Sequence, residues 1–343
     1  MSYEVTIGIP AYQAADYIEA TMQSALAQTY GSIEFLIIDD CGNDGTIDIV
    51  ERLKAEHPRG SDIRILHNEH NLGVGPSRNR IIDEAQGRYL YFLDSDDVIE
   101  PDTIEILIGE ATEHNADVVY ASYEKIDNVN NTSTETHQYP RLDLLQQDEF
   151  AAYAFRNYST FQVSACNCLI NLTFLRDAKI RFIDSMFWED MAFTYDMAPK
   201  VKRAILLPNI TYHYQCRPNS LSNYQDREVL HREEILKNAS TIDYLKWKSR
   251  AIKRKPYIAS FCYDLQMNSF YIVCYILKHQ QRIVPTIQNR VLRHIMRHPM
   301  SLREIFKLPH RRSSNLALWQ ISHLPLFLFI PVIRIMGKIK RVL

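Results

Sequence analysis

Tyr89-Leu90-Tyr91-Phe92-Leu93-Asp94-Ser95-Asp96-Asp97 is an apolar run that stops abruptly in three carboxylates. Five consecutive apolar or aromatic residues bounded by polar ones predict a strand buried on both faces, and packing alone gives no reason for Asp-x-Asp-Asp at its end. Side chains at i and i+2 of an extended segment lie on one side, so Asp94 and Asp96 can converge. Two convergent carboxylates suit a hard divalent cation, Mg²⁺ or Mn²⁺, that keeps its other positions for water and phosphate. The competing reading is an acidic turn in which Asp97 or Asp102 caps the helix begun at Pro101.

The same pattern recurs three times upstream. Val5-Thr6-Ile7-Gly8-Ile9 ends at Pro10-Ala11-Tyr12-Gln13, and Asp16 opens a helix with Ile18, Met22, Ala25 and Leu26 at helical spacing. Phe35-Leu36-Ile37-Ile38 runs into Asp39-Asp40-Cys41-Gly42-Asn43-Asp44-Gly45-Thr46, with a helix over residues 47–56. Ile63-Arg64-Ile65-Leu66 leads through Asn71-Leu72-Gly73 to Arg78-Asn79 and a helix that ends near Gly87. Strands alternating with helices predict a mostly parallel sheet with right-handed crossovers, whose ligands bind beyond the C-terminal strand ends. Tyr12, Asp39-Asp40, Arg78-Asn79 and Asp94-Asp96 all fall at those ends and line one crevice in this reading. No G-x-G-x-x-G follows the first strand and no Walker loop is present, which argues against dinucleotide-binding and P-loop folds.

Ile9-Pro10-Ala11-Tyr12-Gln13, Asp39-Asp40-x-x-x-Asp44-Gly45-Thr46, Asn71-x-Gly73-x-x-x-x-Arg78-Asn79 and Phe92-Leu93-Asp94-Ser95-Asp96-Asp97, in that order, resemble glycosyltransferase family 2. The likeness covers residues 3–115 and continues more weakly through Trp188-Glu189-Asp190 and Arg217-Pro218-Asn219-Ser220-Leu221-Ser222. It implies an α/β GT-A (Rossmann-like) fold, a mostly parallel sheet flanked by helices with a C-terminal helical region. It also implies inverting transfer from a nucleotide-diphosphate sugar, in particular a UDP-sugar. By the resemblance, Pro10 and Ala11 border the nucleotide and Tyr12 stacks on its base. Asp39, beside Asp40, accepts from a uracil N–H, and Arg78 approaches the base or phosphates. Asp94, with Ser95, holds the ribose, while Asp96, with Asp94 alongside, holds the Mg²⁺ or Mn²⁺ that bridges the diphosphate. Arg217 meets the same diphosphate. One departure is Gly42, where the family usually has Ser.

A leaving diphosphate gains negative charge as its bond breaks, which a divalent cation stabilises, and inversion needs a general base on the opposite face. Asp190 aligns with the family's Glu-Asp motif and is the implied base, with Glu189 the alternative. Met186-Phe187-Trp188-Glu189-Asp190-Met191 sets both carboxylates among apolar residues, where desolvation raises a carboxyl pKa, and Trp188 offers a face for an acceptor sugar. Ala165-Cys166-Asn167-Cys168-Leu169-Ile170 and Phe174-Leu175 predict a buried helix with Cys166 and Cys168 as packing residues. His213 reads either as a metal ligand or as a structural residue among aromatics.

The formal net charge of −2 conceals an asymmetry: residues 1–150 hold 29 acidic and 9 basic residues, a net of −20, leaving +18 for the remainder. From Arg290 onward 11 Lys or Arg face one acid, Glu304, a composition suited to anionic phosphates or an anionic membrane surface. No nucleic-acid recognition motif accompanies it, so no nucleic-acid partner is expected. Residues 316–333 are strongly apolar, but Gln320, His323, Pro325 and Pro331 interrupt them short of the ~20 residues a spanning helix needs. With Arg311-Arg312, Lys338, Lys340 and Arg341 around it, the stretch 310–343 reads as a peripheral, interfacial membrane contact.

Six cysteines without a CxxC pair indicate a reduced cytoplasmic compartment, and no signal core precedes the first strand. The expected location is cytoplasmic, at the inner face of the membrane. The expected organisation is a catalytic domain over 1–223, with a nucleotide-sugar half (1–115) and an acceptor half (116–223), followed by a helical region over 224–343 with helices at 226–248 and 258–278. The expected acceptor is a hydroxyl of a glycan or lipid-linked glycan in bacterial surface polysaccharide synthesis. The rivals are a non-catalytic nucleotide-binding module of the same fold and a nucleotidyltransferase. The latter's basic Gly-rich loop is replaced here by Pro10-Ala11-Tyr12.

Overall fold

The computed structural model describes residues 3–127, 130, 132–157, 161–185, 188–216 and 228–343. The chain opens with β1 (Val5–Ala11), α1 (Ile18–Leu26), β2 (Ile33–Asp39), α2 (Thr46–Glu56), β3 (Ile63–His67), α3 (Val74–Glu84) and β4 (Tyr89–Phe92). β1, β2 and β4 are buried along their whole length, which is why their sequences are apolar runs rather than alternations. α1 buries Ile18, Thr21, Met22, Ala25 and Leu26, the face its periodicity predicts. α2 and α3 each start from a glycine at positive φ, Gly45 at 87° and Gly73 at 91°, a conformation side-chain-bearing residues resist. The four strands pair in parallel in the order β3-β2-β1-β4. The chain thus runs outward from β1 in one direction and returns on its other side, so the topological switch point lies between β1 and β4.

Beyond β4 come β5 (Val98–Ile99), α4 (Thr103–Glu113), β6 (Val118–Asp127), β7 (Thr132–His137), β8 (Leu142–Leu144), α5 (Glu149–Arg156), β9 (Cys168–Asn171), α6 (Leu172–Asp177), α7 (Glu189–Met197) and β10 (Ala204–Cys216). The sheet continues β4-β9-β6-β10-β5, with β9 antiparallel to both neighbours and β10 parallel to β6. The helix expected around Cys166 and Cys168 is therefore corrected to strand β9 followed by the short α6. A brief apolar run carries too little periodicity to separate strand from helix, and the slot between β4 and β6 decides. Asn167, fully buried at φ 58°, holds that slot: its Nδ2 donates to the Ala121 and Ser122 carbonyls at 2.6 and 3.1 Å, and its Oδ1 accepts from Thr211 Oγ1 at 2.8 Å. Cys166 and Cys168 are buried packing residues, and all six cysteines are free thiols.

The remaining elements are β11 (Leu230–His231), α8 (Arg232–Lys248), α9 (Ile258–Lys278), β12 (Ile283–Val284), α10 (Asn289–Ile295), α11 (Leu302–Phe306), α12 (Arg312–Ser322) and α13 (Leu326–Ile339). Two compact units result. The first, Met1–Phe150 with Val163–Asp184 and Lys200–Ser220, carries the β1–β10 sheet. The second comprises Ala151–Gln162, Ser185–Pro199 and Leu221–Leu343, so α7 clusters with the C-terminal helices. Within it α9 is buried on nearly every side and packs against α8, α10, α12 and α13, as an all-round apolar helix must. Phe155 anchors an aromatic core, its ring 5.0 Å from Tyr195 and 4.8 Å from Phe261 between centroids. Among the described residues no helix is long and apolar enough to cross a membrane.

Gly8 fixes how closely α3 rests on β1, because a Cβ there would lie 2.3 Å from Ile81 Cγ2. Gly8→Ala is expected to lower the unfolding free energy by about 1–3 kcal/mol through overpacking. Denaturant unfolding checks this. The Gly8→Ala/Ile81→Ala double variant should fall short of the sum of the single effects, since it removes the clashing methyl; strict additivity would contradict the packing account.

Candidate active site

β1 and β4 stay paired only as far as Gly8 and Phe92, with one further bond from Leu93 N–H to the Gly8 carbonyl at 3.1 Å. On its other side β1 remains paired with β2 through Ala11 and Asp39, and Asp40 N–H donates to the Ala11 carbonyl at 2.9 Å. Past Gly8, among the described residues, no strand pairs with the β4-facing edge of β1, although the strand stays buried to its end. Backbone groups alternate sides along a strand, so Pro10 faces that edge, where its missing N–H costs no ladder bond. Ala11 is buried behind it, and Tyr12 follows with 45% of its surface exposed. Gly42 lies close beneath: a Cβ there would stand 3.1 Å from Gln13 N, so this loop can approach the β1 loop more closely than the family's usual Ser would allow.

The two adjacent acids after β2 have different surroundings. Asp39 pairs through Oδ2 with His67 Nδ1 at 2.9 Å and accepts from Gly42 N–H at a long 3.3 Å, which leaves carboxylate lone pairs for a ligand. Asp39 and His67 sit side by side in the β2/β3 register. Asp40 instead accepts from Asn68 Nδ2 (2.7 Å), Leu72 N–H (2.9 Å) and Gly73 N–H (2.8 Å), which anchors the loop that launches α3. His67 and Asn68 were not singled out from the sequence, although they lie at a C-terminal strand end like the clusters that were.

α3 carries Arg78 into the acidic turn. Arg78 is only 3% exposed, and its Nη2 donates to Asp94 Oδ1 at 2.7 Å while its guanidinium lies 5.4 Å from the Phe182 ring centroid. A buried guanidinium needs such a charged partner, and the pairing in turn orients Asp94. Asn79 clamps the Phe182 backbone, donating to its carbonyl at 2.8 Å and accepting from its N–H at 2.9 Å. Ser95 and Asp96 are half-buried at the turn. Asp97 is buried, accepts from Tyr212 O–H at 2.6 Å and Gln215 N–H at 2.7 Å, and so ties the turn to β10. Burial first, then the charges of Asp94 and Asp96, push its carboxyl well above the usual range. Asp97 is thus a tether rather than a helix cap, and Asp102, which precedes α4, makes no side-chain capping bond.

His213 has both ring nitrogens engaged, Nε2 2.7 Å from Glu100 and Nδ1 2.8 Å from Glu124, so the structural reading holds. Among the described residues no cluster of three or more His, Cys, Asp or Glu forms a closed metal cage. Asp94 and Asp96 both stand half-buried at the turn, where a hard cation of the Mg²⁺ type, which takes few protein ligands and fills its remaining positions with water and phosphate, would find oxygen donors. In the second unit, Glu189 and Asp190 occupy the first turn of α7, where the helix dipole favours negative charge. Trp188 precedes them at φ 66°, a left-handed conformation that costs a bulky residue about 1–3 kcal/mol. Met186, Phe187 and Arg217 lie outside the described residues.

The sequence profile of Glycosyl transferase family 2 matches residues 6–178, half of the chain. The chain belongs to this family. Family 2 relatives include a cholesterol galactosyltransferase of Borreliella burgdorferi (strain ATCC 35210 / DSM 4680 / CIP 102532 / B31), 25% identical over 79% of this chain and 76% of its own length. Another is the UDP-Glc:alpha-D-GlcNAc-diphosphoundecaprenol beta-1,3-glucosyltransferase WfgD of Escherichia coli, 36% identical over 37% of this chain. The chain spans less than half the length of several curated relatives it matches, WfgD among them at 48%. Residues 1–349 of S. aureus TarS, solved with UDP-GlcNAc, share the fold at a TM-score of 0.55, covering 93% of this chain and 90% of that one at 16% identity. The chain has the GT-A fold.

Asp97's folded pKa lies above its unfolded value, so the folded state binds the extra proton. That contribution to stability is present at low pH and is lost as pH rises through the folded pKa. Asp97→Asn, neutral at every pH, should therefore gain stability relative to the parent as pH increases from 4 to 8. Chemical unfolding across that range measures the difference, and a pH-independent gap would refute the assignment.

Proposed function

We propose that this glycosyltransferase inverts the anomeric centre of a UDP-sugar as it transfers the sugar to a hydroxyl of a glycan or lipid-linked glycan, in the synthesis of a bacterial surface polysaccharide. The observation that carries the reading is that an exposed Tyr12, a partly engaged Asp39 and the acidic turn Asp94-Ser95-Asp96-Asp97 all stand at or just beyond the C-terminal ends of the neighbouring parallel strands β1, β2 and β4. WfgD's acceptor, a diphosphoundecaprenol-linked sugar, and the UDP-GlcNAc bound to TarS support the acceptor and donor classes.

Tyr12 stacks on the uracil beside Pro10 and Ala11, and Asp39, steadied by His67, accepts from its N–H. Asp40 maintains the loop that shapes this end of the crevice. Asp94, oriented by Arg78, takes a ribose hydroxyl next to Ser95. Asp96 and Asp94 would hold Mg²⁺ or Mn²⁺, which when bound supplies positive charge against the leaving diphosphate. Arg217 pairs with the same phosphates. Asp190 removes the acceptor hydroxyl proton, the freed oxygen bonds to the anomeric carbon, and the carbon–oxygen bond to the diphosphate breaks with its electron pair going to phosphate. Glu189 is the alternative base, and Trp188 meets the acceptor sugar's face.

In α13, Phe327 and Ile339 are each 75% exposed and Ile335 59%, amid Arg334, Lys338, Lys340 and Arg341. This apolar surface with a basic collar suits peripheral contact with an anionic bilayer, which would hold the enzyme at the cytoplasmic face where lipid-linked acceptors are presented.

Calorimetry against nucleotides with and without Mn²⁺ should find metal-dependent UDP binding in the parent. Asp190→Asn should keep that binding while transfer drops by about 10²–10⁴-fold, the usual worth of a positioned base; retained turnover would move the role to Glu189, and absent UDP binding would sink the donor assignment. Phe327→Asp/Ile339→Asp should reduce co-sedimentation with phosphatidylglycerol vesicles, and unchanged sedimentation would remove the membrane contact from the proposal.

A further inference from the structure

The second unit contains a cavity of ≈ 590 Å³ walled by residues of α8, α12 and the segment that follows α10. This volume falls within the ~300–1,000 Å³ of small-molecule sites. Its wall is basic. Arg250 and Arg297 line it, both are exposed, and neither has an ion-pair partner among the described residues. Lys246 lies buried at the wall with its Nζ donating to the Ile295 carbonyl at 2.6 Å, and burial lowers its pKa to about 8. The one acid on the wall, Asp243, faces His294 at 3.6 Å.

His298 behind them contributes no charge at neutral pH. Its Nδ1 accepts from Met300 N–H at 3.1 Å and its Nε2 lies 3.1 Å from Asn315 Oδ1, while burial lowers its pKa to about 4. Three cations thus share one wall with a single acid, Asp243, whose charge acts on Lys246, and an anion between Arg250 and Arg297 would relieve their mutual repulsion. Two indoles complete the cavity. Trp247 is 59% exposed, and Trp319 stacks on His323 with 3.9 Å between ring centroids. Guanidinium pairs match the oxygens of a phosphate bidentately, and indole faces accept the apolar face of a sugar or the glycerol region of a lipid.

We propose that this cavity binds a phosphate group carried on a sugar or a lipid head, gripped by Arg250 and Arg297 and flanked by Trp247 and Trp319. Its residues do not overlap the donor site and its occupancy does not depend on the donor assignment. Both sources share the phosphate chemistry. A soluble phosphosugar satisfies the guanidiniums and indoles alone, whereas a lipid would extend along the exposed Leu326 and Phe327, which begin three residues after His323.

The test compares the full chain with its Arg250→Ala/Arg297→Ala variant, whose altered side chains are exposed, with a thermal melt to check folding. Glucose 1-phosphate is titrated by calorimetry with UDP at saturation, so that any phosphate site in the crevice is blocked, and flotation is measured with phosphatidylglycerol against phosphatidylcholine vesicles. Loss of two charge-assisted bonds should weaken binding at least about tenfold. Weakening confined to glucose 1-phosphate identifies a soluble phosphosugar, and weakening confined to phosphatidylglycerol vesicles identifies a lipid head. The proposal is overturned if the parent binds neither probe, or if the variant binds both as the parent does. Failure of UDP to bind would count against the donor assignment and leave the comparison at the arginines readable.

Discussion

Asp94, Asp96 and Asp97 stand within four residues of one another, and the fold of the first unit keeps these neighbours from carrying equal charge in equal surroundings. Like charges a few ångströms apart oppose folding strongly once water is excluded. The structure separates their roles by environment. Asp97 is buried under Tyr212 and Gln215 and driven toward its neutral form, while Asp94 is matched to the buried Arg78. Asp96 stays half-exposed beside them. The same bonds have mechanical consequences: Asp97 fastens the end of β4 to β10, and Asp94 fastens it to α3. The electrostatic solution and the positioning of the crevice are one arrangement.

That acidity bears on the ligand as well. Residues 1–150 carry a net −20, so an anionic sugar nucleotide, the donor proposed above, would approach a surface that repels it at long range. Salt screens such repulsion beyond about 8–10 Å, but contact requires local compensation, which Arg78 alone, already matched to Asp94, does not offer. A divalent cation at the acidic turn, as proposed above, would answer that need and make the acid-rich composition compatible with an anionic donor. The basic residues of the chain are gathered instead in its later part, Arg250 and Arg297 at the cavity among them.

The parts that were legible in the sequence are those whose information is local. The buried face of α1 and the limits of α9 follow from periodicity, and the alternation of strands and helices fixes where a crevice must lie. The parts that were not legible depend on register between distant segments. β9 is a strand because β4 and β6 offer it two ladders, and nothing within Cys168–Asn171 says so. Asp39 and Asp40 are adjacent and chemically identical in the sequence, yet His67 engages one and the 68–73 loop engages the other, a distinction set by how β2 lies beside β3. Arg78 and Asn79 likewise part company because successive residues of a helix point about 100° apart, so one reaches Asp94 and the other Phe182.

Pro10 has a significance beyond its place beside the crevice. A strand that stays extended after losing its neighbour presents bare backbone, and such edges ordinarily invite another peptide to add as a further strand, whether from a partner or from a second misfolding chain. Here the residue facing that edge is the one amino acid that cannot donate to a ladder. Pro10 is moreover buried, so the stretch of β1 that has lost its neighbour is covered as well as unable to donate, and the end of the central strand offers no template for a further strand.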